Sequence, residues 1–153
     1  MDLKLLVISD THGYIGNAVS LIEELNPEYV IHLGDMAADC DELRNIYPMR
    51  RIICVLGNND WYCKSYPCEI ITEIGGKKFF ICHGHKYNVK YGLQSLKAAA
   101  RAQDADIVLF GHTHCRHLET SGSLTVMNPG SRSSYGLIEI NENGEIKAEI
   151  KDV

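Results

Sequence analysis

The chain lacks three features that mark membrane, zinc-finger or nucleic-acid-binding proteins. No apolar run approaches the roughly 20 residues that span a bilayer, and the apolar stretch 1–8 is too short for a signal peptide. The six cysteines show no Cys-x-x-Cys spacing, which excludes the common zinc and redox motifs. The net charge is -5 and no basic cluster exceeds Arg50-Arg51. We therefore expect a cytoplasmic protein, with neither a membrane nor long nucleic acid as its partner.

The order of apolar patterns along the chain predicts the fold class. A length of 153 residues fits one domain, 1–153, and there are no repeats or linkers. The first half alternates strand and helix patterns, and right-handed crossovers make its first three strands parallel. Turn signals such as Gly75-Gly76 and Asn143-Gly144 divide the second half, whose last four strands are expected to form an antiparallel meander. The sequence therefore predicts an α/β protein, a four-layer α-β-β-α sandwich of two mixed sheets flanked by helices.

The apolar periodicity also gives expected bounds for each element. Strands are expected at residues 3–9, 29–33, 51–56, 69–74, 77–82, 106–110, 117–120, 123–127, 135–140 and 145–150. Helices are expected at residues 17–25, 41–47 and 93–103.

Five short polar islands follow five of these strands, at the points where the strands end. They are Asp10-Thr11-His12, Gly34-Asp35, Gly57-Asn58-Asn59-Asp60, His83-Gly84-His85 and Gly111-His112-Thr113-His114. The carboxyl ends of parallel strands meet at one edge, so these side chains are expected to converge there. In an extended segment the residues i and i+2 share a face, which would point both members of an Asp-x-His or His-x-His pair into one volume. Gathered Asp, Asn and His donors indicate a divalent metal site.

In this order and with these gaps, the islands resemble the motifs of a known enzyme family. The patterns Asp-x-His, Gly-Asp, Gly-Asn-x-Asp, His and Gly-His-x-His are similar to those of the calcineurin-like metallophosphoesterases, especially their small bacterial and archaeal phosphodiesterase branch. The resemblance covers residues 3 to about 131. It implies a phosphoesterase, most often a phosphodiesterase, with two divalent metal ions. Manganese or nickel is expected by resemblance, and iron, zinc and cobalt also suit nitrogen and oxygen donors.

The resemblance implies a metal ligand from every island. The implied ligands are Asp10, His12 and His114 for one metal, Asn58, His83 and His112 for the second, and Asp35 as a bridge between the two. Two carboxylates leave excess positive charge on two divalent cations, which would hold a phosphate and lower the pKa of a bridging water. The expected reaction is in-line attack on phosphorus by the resulting metal-bridging hydroxide, without a protein nucleophile.

One position departs from the family pattern. Many relatives carry a histidine where this chain has Asn59, and that histidine is thought to protonate the leaving group or bind the phosphate. Asparagine cannot donate a catalytic proton near neutral pH, although its amide can bind a phosphoryl oxygen. His85 is the favoured proton donor and substrate contact, while Asp60 acting through water, or no acid at all, remain open. A missing acid predicts slow turnover and a preference for good leaving groups.

Other polar residues near the islands are weaker candidates. The loop 128–131 resembles a segment close to the metals in this branch, so Ser131 or Arg132 is a candidate substrate contact, although a plain turn explains the loop equally well. His32 is expected to be a hydrogen-bonded core histidine, and Asp39 is assigned to loop structure.

Three other functions are alternatives to the predicted phosphodiesterase. A retromer subunit shares this fold and binds partner proteins, but it has lost part of the metal set that is complete here. DNA-repair nucleases of the family add capping domains and basic surfaces, which this sequence does not have. A phosphomonoesterase stays open as well. The expected partner is a small-molecule phosphate ester, and because relatives are often dimers or tetramers, a homo-oligomer is left open.

Overall fold

The computed structural model describes residues 2–153, which form ten strands and three α-helices. The strands are β1 (Leu3–Ile8), β2 (Tyr29–His32), β3 (Arg51–Cys54), β4 (Glu69–Ile74), β5 (Lys77–Cys82), β6 (Ile107–Leu109), β7 (His117–Ser121), β8 (Leu124–Asn128), β9 (Ser134–Ile140) and β10 (Ile146–Asp152). The helices are α1 (Gly16–Leu25), α2 (Ala37–Ile46) and α3 (Gln94–Ala102). Two short 3₁₀ turns, His85–Tyr87 and Val89–Tyr91, lie between β5 and α3.

The strands form two mixed sheets of five strands each. The first has the order β10-β9-β1-β2-β3, and the second has the order β4-β5-β6-β8-β7. In the first sheet β1, β2 and β3 are parallel, with α1 and α2 as their crossovers. In the second sheet β5, β6 and β8 are parallel, and β4 and β7 are antiparallel edge strands. The predicted architecture of two mixed sheets is confirmed.

The two sheets pack face to face between the helices. Side chains alternate along β1, so that Leu5 and Val7 enter the core between the sheets while Leu6 and Ile8 pack beneath α1 and α2. On the other side α3 covers the outer face of β5, β6 and β8. Because both faces of each central strand are buried, these strands are continuously apolar rather than alternating. Among residues 2–153, no helix is both long enough and apolar enough to span a membrane.

Two predicted details are wrong. The last four strands do not form one meander: β7 and β8 form a hairpin in the second sheet, β8 pairs in parallel with β6, and the chain then crosses to the first sheet, where β9 and β10 form another hairpin. Helix α2 also begins at Ala37 rather than at residue 41. Its first turn is capped by the Asp60 carboxylate, which accepts from the N–H groups of Met36 and Ala37 at 2.9 Å each. A cap from 23 residues away leaves no local signal.

Candidate metal centre

The five islands meet where the strand ends of the two sheets face each other. The loop after β1 is joined to the loop after β2 by the Asp10 N–H, which donates to the Gly34 carbonyl at 3.0 Å. The loop after β6 is joined to the loop after β5 by the Gly111 N–H, which donates to the His83 carbonyl at 2.8 Å. The donors therefore converge from two sheets.

The backbone of these loops is not extended, contrary to the premise drawn from i and i+2 spacing. Five of the candidate ligands have positive φ: Asp10 (54°), His12 (52°), Asp35 (60°), His112 (70°) and His114 (61°). Non-glycine residues adopt this left-handed conformation rarely and at an energetic cost, and such residues cluster at functional sites. Asp10 and His12 share a volume although no strand continues through them, whereas His114 joins that pair and His112 lies beside His83.

Four of the candidate ligands form a compact group of donors. One ligand atom from each of Asp10, His12, Asp35 and His114 lies within 4.8 Å of the others. The Asp10 Oδ2 atom accepts a hydrogen bond from Ser9 Oγ at 2.5 Å, whereas its Oδ1 lies 3.2 Å from His114 Nε2. The rings of His12 and His114 have centroids 5.5 Å apart. This group has the donor chemistry and the spacing of a divalent metal site.

His83 presents a free nitrogen to the same volume. Its Nδ1 is 2.7 Å from the Leu33 carbonyl, so Nδ1 carries the proton and Nε2 presents a lone pair. Within residues 2–153 neither His83 Nε2 nor Asp10 Oδ1 has a hydrogen-bond partner, although both atoms are buried. Buried polar atoms without partners are costly, and a metal ion would satisfy both of them. The residues present therefore fit a divalent cation.

Asp35 lies between two pairs of histidines. It belongs to the group that contains His12 and His114, and its Oδ2 is 3.4 Å from His83 Nε2. The ring of His83 lies 5.1 Å from that of His112, so the second histidine pair adjoins the same carboxylate.

The carboxylates and histidines of this centre shift each other's pKa values. Burial raises the pKa of Asp35, but the contacts with His83 and Asn59 outweigh burial and hold it below its ordinary value. Burial lowers the pKa of His83, but the carboxylates of Asp35 and Asp10 outweigh burial and raise it. The carboxylates and His83 therefore interact favourably with each other across the centre.

The two asparagines of the third island have different surroundings. Asn58 is exposed at the rim of the loop after β3. Asn59 donates from its side-chain Nδ2 to Asp35 Oδ2 at 3.0 Å and from its backbone N–H to Asp35 Oδ1 at 3.1 Å. The Asn59 side chain thus holds the central carboxylate, and its contact with a phosphoryl oxygen stays a prediction.

Asp60, which the sequence leaves open as a proton donor acting through water, is placed in this structure to anchor the loops. It is 1% exposed, and besides Met36 and Ala37 its oxygens accept from the N–H groups of Asp35 at 2.9 Å and Gly57 at 2.8 Å. A carboxylate with four backbone donors is a structural anchor. The loops after β2 and β3 meet so closely here that a Cβ on Gly57 would overlap the Asp35 carboxylate, which only glycine avoids.

The remaining candidates lie at the margin. His85 begins the first 3₁₀ turn, and its ring is 5.5 Å from that of His83 and 6.1 Å from that of His112. Burial and the charge of His83 lower the pKa of His85, and its buried Nδ1 has no hydrogen-bond partner within residues 2–153. Ser131 does not join this cluster; it lines a narrow cavity with Ser9 and Arg132 behind the end of β1.

A buried hydrogen-bond chain supports the loops after β1 and β2. Thr11 Oγ1 donates to Asp39 Oδ2 at 2.5 Å and lies 2.8 Å from His32 Nε2. The Gly34 N–H donates to His32 Nδ1 at 3.1 Å, so Nδ1 is unprotonated and Nε2 carries the proton. The prediction that His32 is a hydrogen-bonded core histidine is confirmed. The assignment of Asp39 to a loop is wrong, because Asp39 lies in the first turn of α2 and also accepts from the Gly13 N–H.

The buried His32 predicts a loss of stability in mild acid. Burial lowers the pKa of His32 from 6.5 to about 4 despite the nearby carboxylates of Asp39 and Asp60. Between about pH 6.5 and about pH 4, His32 is protonated in the unfolded chain but not in the folded chain. Stability is therefore lost as the pH falls through this range. Between pH 7 and pH 5 we expect this residue to account for about 2 kcal/mol of the free energy of unfolding. Urea denaturation at several pH values measures the free energy of unfolding of chelator-treated wild-type protein and of His32→Gln. We expect this free energy to depend less on pH in the variant. Parallel curves would contradict this assignment.

Two supporting residues were missed by sequence reasoning. Ser9 fixes the orientation of the Asp10 carboxylate. Asn128, fully buried at the end of β8, donates from Nδ2 to the Gly111 carbonyl at 3.1 Å and to Thr113 Oγ1 at 2.9 Å, and its Oδ1 accepts from the Gly130 N–H. The sequence predicts Asn128 only as part of a turn, because its hydrogen-bond partners Gly111 and Thr113 lie in another loop.

Comparisons with known proteins find chains similar to this one. The profile of the calcineurin-like phosphoesterase superfamily domain matches residues 3–139. A phosphodiesterase of Methanocaldococcus jannaschii is 33% identical over 151 residues, which cover 87% of this chain and 86% of that protein. A conserved Streptococcus pneumoniae protein described as a predicted phosphoesterase superimposes with a TM-score of 0.76 at 26% identity, over 100% of this chain and 99% of that one.

A protein of a different kind has the same fold. The vacuolar protein sorting 29 protein of Entamoeba histolytica, solved in complex with zinc, has a TM-score of 0.77 at 25% identity. The match covers 98% of this chain and 99% of that one.

Proposed function

This chain belongs to the calcineurin-like phosphoesterase superfamily, and from that membership we propose that it is a phosphodiesterase that uses two divalent metal ions. The observation that carries the proposal is the position of Asp35 between two histidine pairs, beside buried donor atoms of Asp10 and His83 that have no hydrogen-bond partner within residues 2–153. A 33% identical relative is named a phosphodiesterase, which supports the choice of diesters over monoesters.

The proposed ligands fall into two groups that share one carboxylate. Asp10, His12 and His114 would hold the first cation, and Asp35 would bridge to the second. His83, His112 and the exposed Asn58 would complete the second group. The short distances within each histidine pair, 5.5 Å for His12 and His114 and 5.1 Å for His83 and His112, support this division. Nitrogen and oxygen donors suit manganese or nickel, and iron, zinc and cobalt are alternatives.

The residues around the ligands keep the centre in order and attract an anionic substrate. When bound, two such cations supply a hydroxide nucleophile near neutral pH and stabilise charge on the phosphoryl oxygens. Asn59 holds both oxygens of Asp35, which fixes the bridging carboxylate. Lys86 and Lys90 are exposed and close enough to lower the pKa values of His85 and His112, respectively. Their positive charge favours a phosphate ester at this rim.

His85 is the proposed contact for a phosphoryl oxygen or the leaving group. Its ring adjoins His83 and His112, and its buried Nδ1 faces no hydrogen-bond partner within residues 2–153. Burial lowers the pKa of His85, which favours the neutral ring, and a neutral ring can donate a hydrogen bond to a phosphoryl oxygen. We therefore expect slow turnover and a preference for esters with good leaving groups. Ser131 remains a candidate substrate contact from the neighbouring cavity.

A metal-replacement assay tests the proposed function. We expect chelator-treated protein to be inactive, and manganese or nickel to restore hydrolysis of bis(p-nitrophenyl) phosphate more than of p-nitrophenyl phosphate. A series of aryl diesters with graded leaving-group pKa values should show a steep dependence, because no strong acid assists the leaving group. Metal-loaded protein that hydrolyses none of these esters would overturn the proposal.

A protein-binding scaffold is the second candidate. The likeness to the Entamoeba vacuolar protein sorting 29 protein favours it, and because that protein was solved with zinc, metal binding alone does not separate the two functions. Hydrolysis of phosphate esters by the metal-loaded chain would distinguish the enzyme from the scaffold. The seven candidate ligands support the enzyme, since every implied position is filled in this sequence.

A further inference from the structure

The loop that carries Asn58 and Asn59 continues into two aromatic residues that project into solvent. Trp61 is 83% exposed and Tyr62 is 53% exposed. Their rings meet edge to face with centroids 6.0 Å apart. Trp61 is also the only tryptophan of the chain. Tryptophan offers a large apolar surface, so a ring that the fold leaves in water is available to a ligand.

This aromatic pair is held firmly beside the metal centre. The Asp60 N–H donates to the Gly57 carbonyl at 3.1 Å, and the Cys63 N–H donates to the Asp60 carbonyl at 2.9 Å, which closes one turn before Trp61 and a second turn whose central residues are Trp61 and Tyr62. The Asp60 side chain is buried beneath the same turn. The aromatic residues therefore project from an anchored turn rather than from a loose loop tip.

The distance from the centre to Trp61 suits one ester substituent. Asn59 contacts Asp35 Oδ2 at 3.0 Å. Because consecutive Cα atoms are about 3.8 Å apart, the Cα of Trp61 lies at most about 7.6 Å from the Cα of Asn59. A phosphate seated at Asp35 would thus place a ring-bearing ester group within reach of the Trp61 side chain.

We propose that Trp61 and Tyr62 form a stacking platform for a planar aromatic ring carried by the phosphate ester substrate, which would be a nucleoside or aryl ester. The inference rests on the proposed phosphodiesterase function and names its substrate class. The metal centre binds the phosphate, and the platform binds the ring. Stacking accepts any planar ring, so the platform selects esters that carry a ring over esters that do not, without distinguishing one nucleobase from another.

Fluorescence and calorimetry test the platform without relying on turnover. Manganese-loaded protein is titrated with adenosine 5'-monophosphate and with ribose 5-phosphate, which share the phosphate but differ in the aromatic ring. We expect the adenine compound to quench the single tryptophan saturably and to bind about tenfold more tightly. In calorimetry, Trp61→Ala should remove this difference, whereas Trp61→Phe should retain most of it.

Met49→Ala is the matched control. Met49 is 95% exposed but precedes β3, so it lies at the opposite end of the sheet, and its variant should keep the tenfold difference. Equal affinity for the two compounds in wild-type protein, or a Trp61→Ala variant that keeps the difference, would overturn the platform and leave the phosphodiesterase proposal intact. If ribose 5-phosphate does not bind while the adenine compound does, the platform stands and the proposed phosphate site fails. If neither compound binds, the platform fails too.

Discussion

Replacing Asp35 with asparagine should abolish hydrolysis and remove the stabilisation of the protein by metal. The substitution keeps the shape of the side chain but removes the charge that lies between the two histidine pairs. An amide cannot bridge two cations through two anionic oxygens, so both metal sites should weaken together. We expect kcat/KM for bis(p-nitrophenyl) phosphate to fall by roughly a thousandfold or more, because metal ions contribute several kcal/mol to such reactions. Steady-state kinetics and metal analysis measure the two losses.

Thermal unfolding separates this effect from misfolding. Wild-type protein should show a higher Tm when manganese is added, because a ligand that binds only the folded state stabilises it. Asp35→Asn should fold but show no such rise. Asp104→Asn serves as the control, since Asp104 is exposed before β6, at the sheet edge away from the centre. An Asp35→Asn protein that binds two metal ions with wild-type affinity would show that the bridging assignment is wrong.

The fold could be read from the sequence wherever a local pattern decided the structure. The buried strands are continuous apolar runs, and each hairpin turn carries at least one glycine, so β4 and β5 have the bounds that periodicity predicts. The pairing of β9 with β1 could not be predicted from local sequence patterns. It joins residues more than a hundred positions apart, and the turn after β8 gives no sign that the chain changes sheets there.

The candidate site shows the same division between local and distant effects. The islands could be found because donors follow strands, and a motif set of this kind identifies the family. The left-handed backbone at Asp10 and His114 could not be foreseen, because Asp and His only modestly favour positive φ and the i and i+2 spacing suggested an extended chain. The role of Asp60 was also hidden, because a carboxylate beside two asparagines suggests catalysis until its four backbone partners are known.

Asp60→Asn should therefore destabilise the protein and weaken its metal binding. An asparagine oxygen can keep some of the four backbone hydrogen bonds, but the amide nitrogen faces N–H groups and cannot accept from them. Each buried N–H left unpaired costs about 1–3 kcal/mol, so we expect the free energy of unfolding to fall by about 4 kcal/mol in urea denaturation. Asp41→Asn is the matched control, because Asp41 is an exposed carboxylate of α2 that accepts one hydroxyl hydrogen bond from Tyr66. Its cost should stay below about 1 kcal/mol.

The same variant separates the two roles that Asp60 could have. A proton donor lost from Asp60 would lower kcat and change its pH dependence while stability stayed near that of the wild type. An anchor lost from beneath Asp35 and Gly57 would lower stability and metal affinity together, because both loops that carry the central ligands share this carboxylate. Activity measured well below the unfolding temperature, at saturating metal, should then recover in part. An Asp60→Asn protein that is as stable as the wild type but inactive at every metal concentration would show that Asp60 acts in catalysis rather than as an anchor.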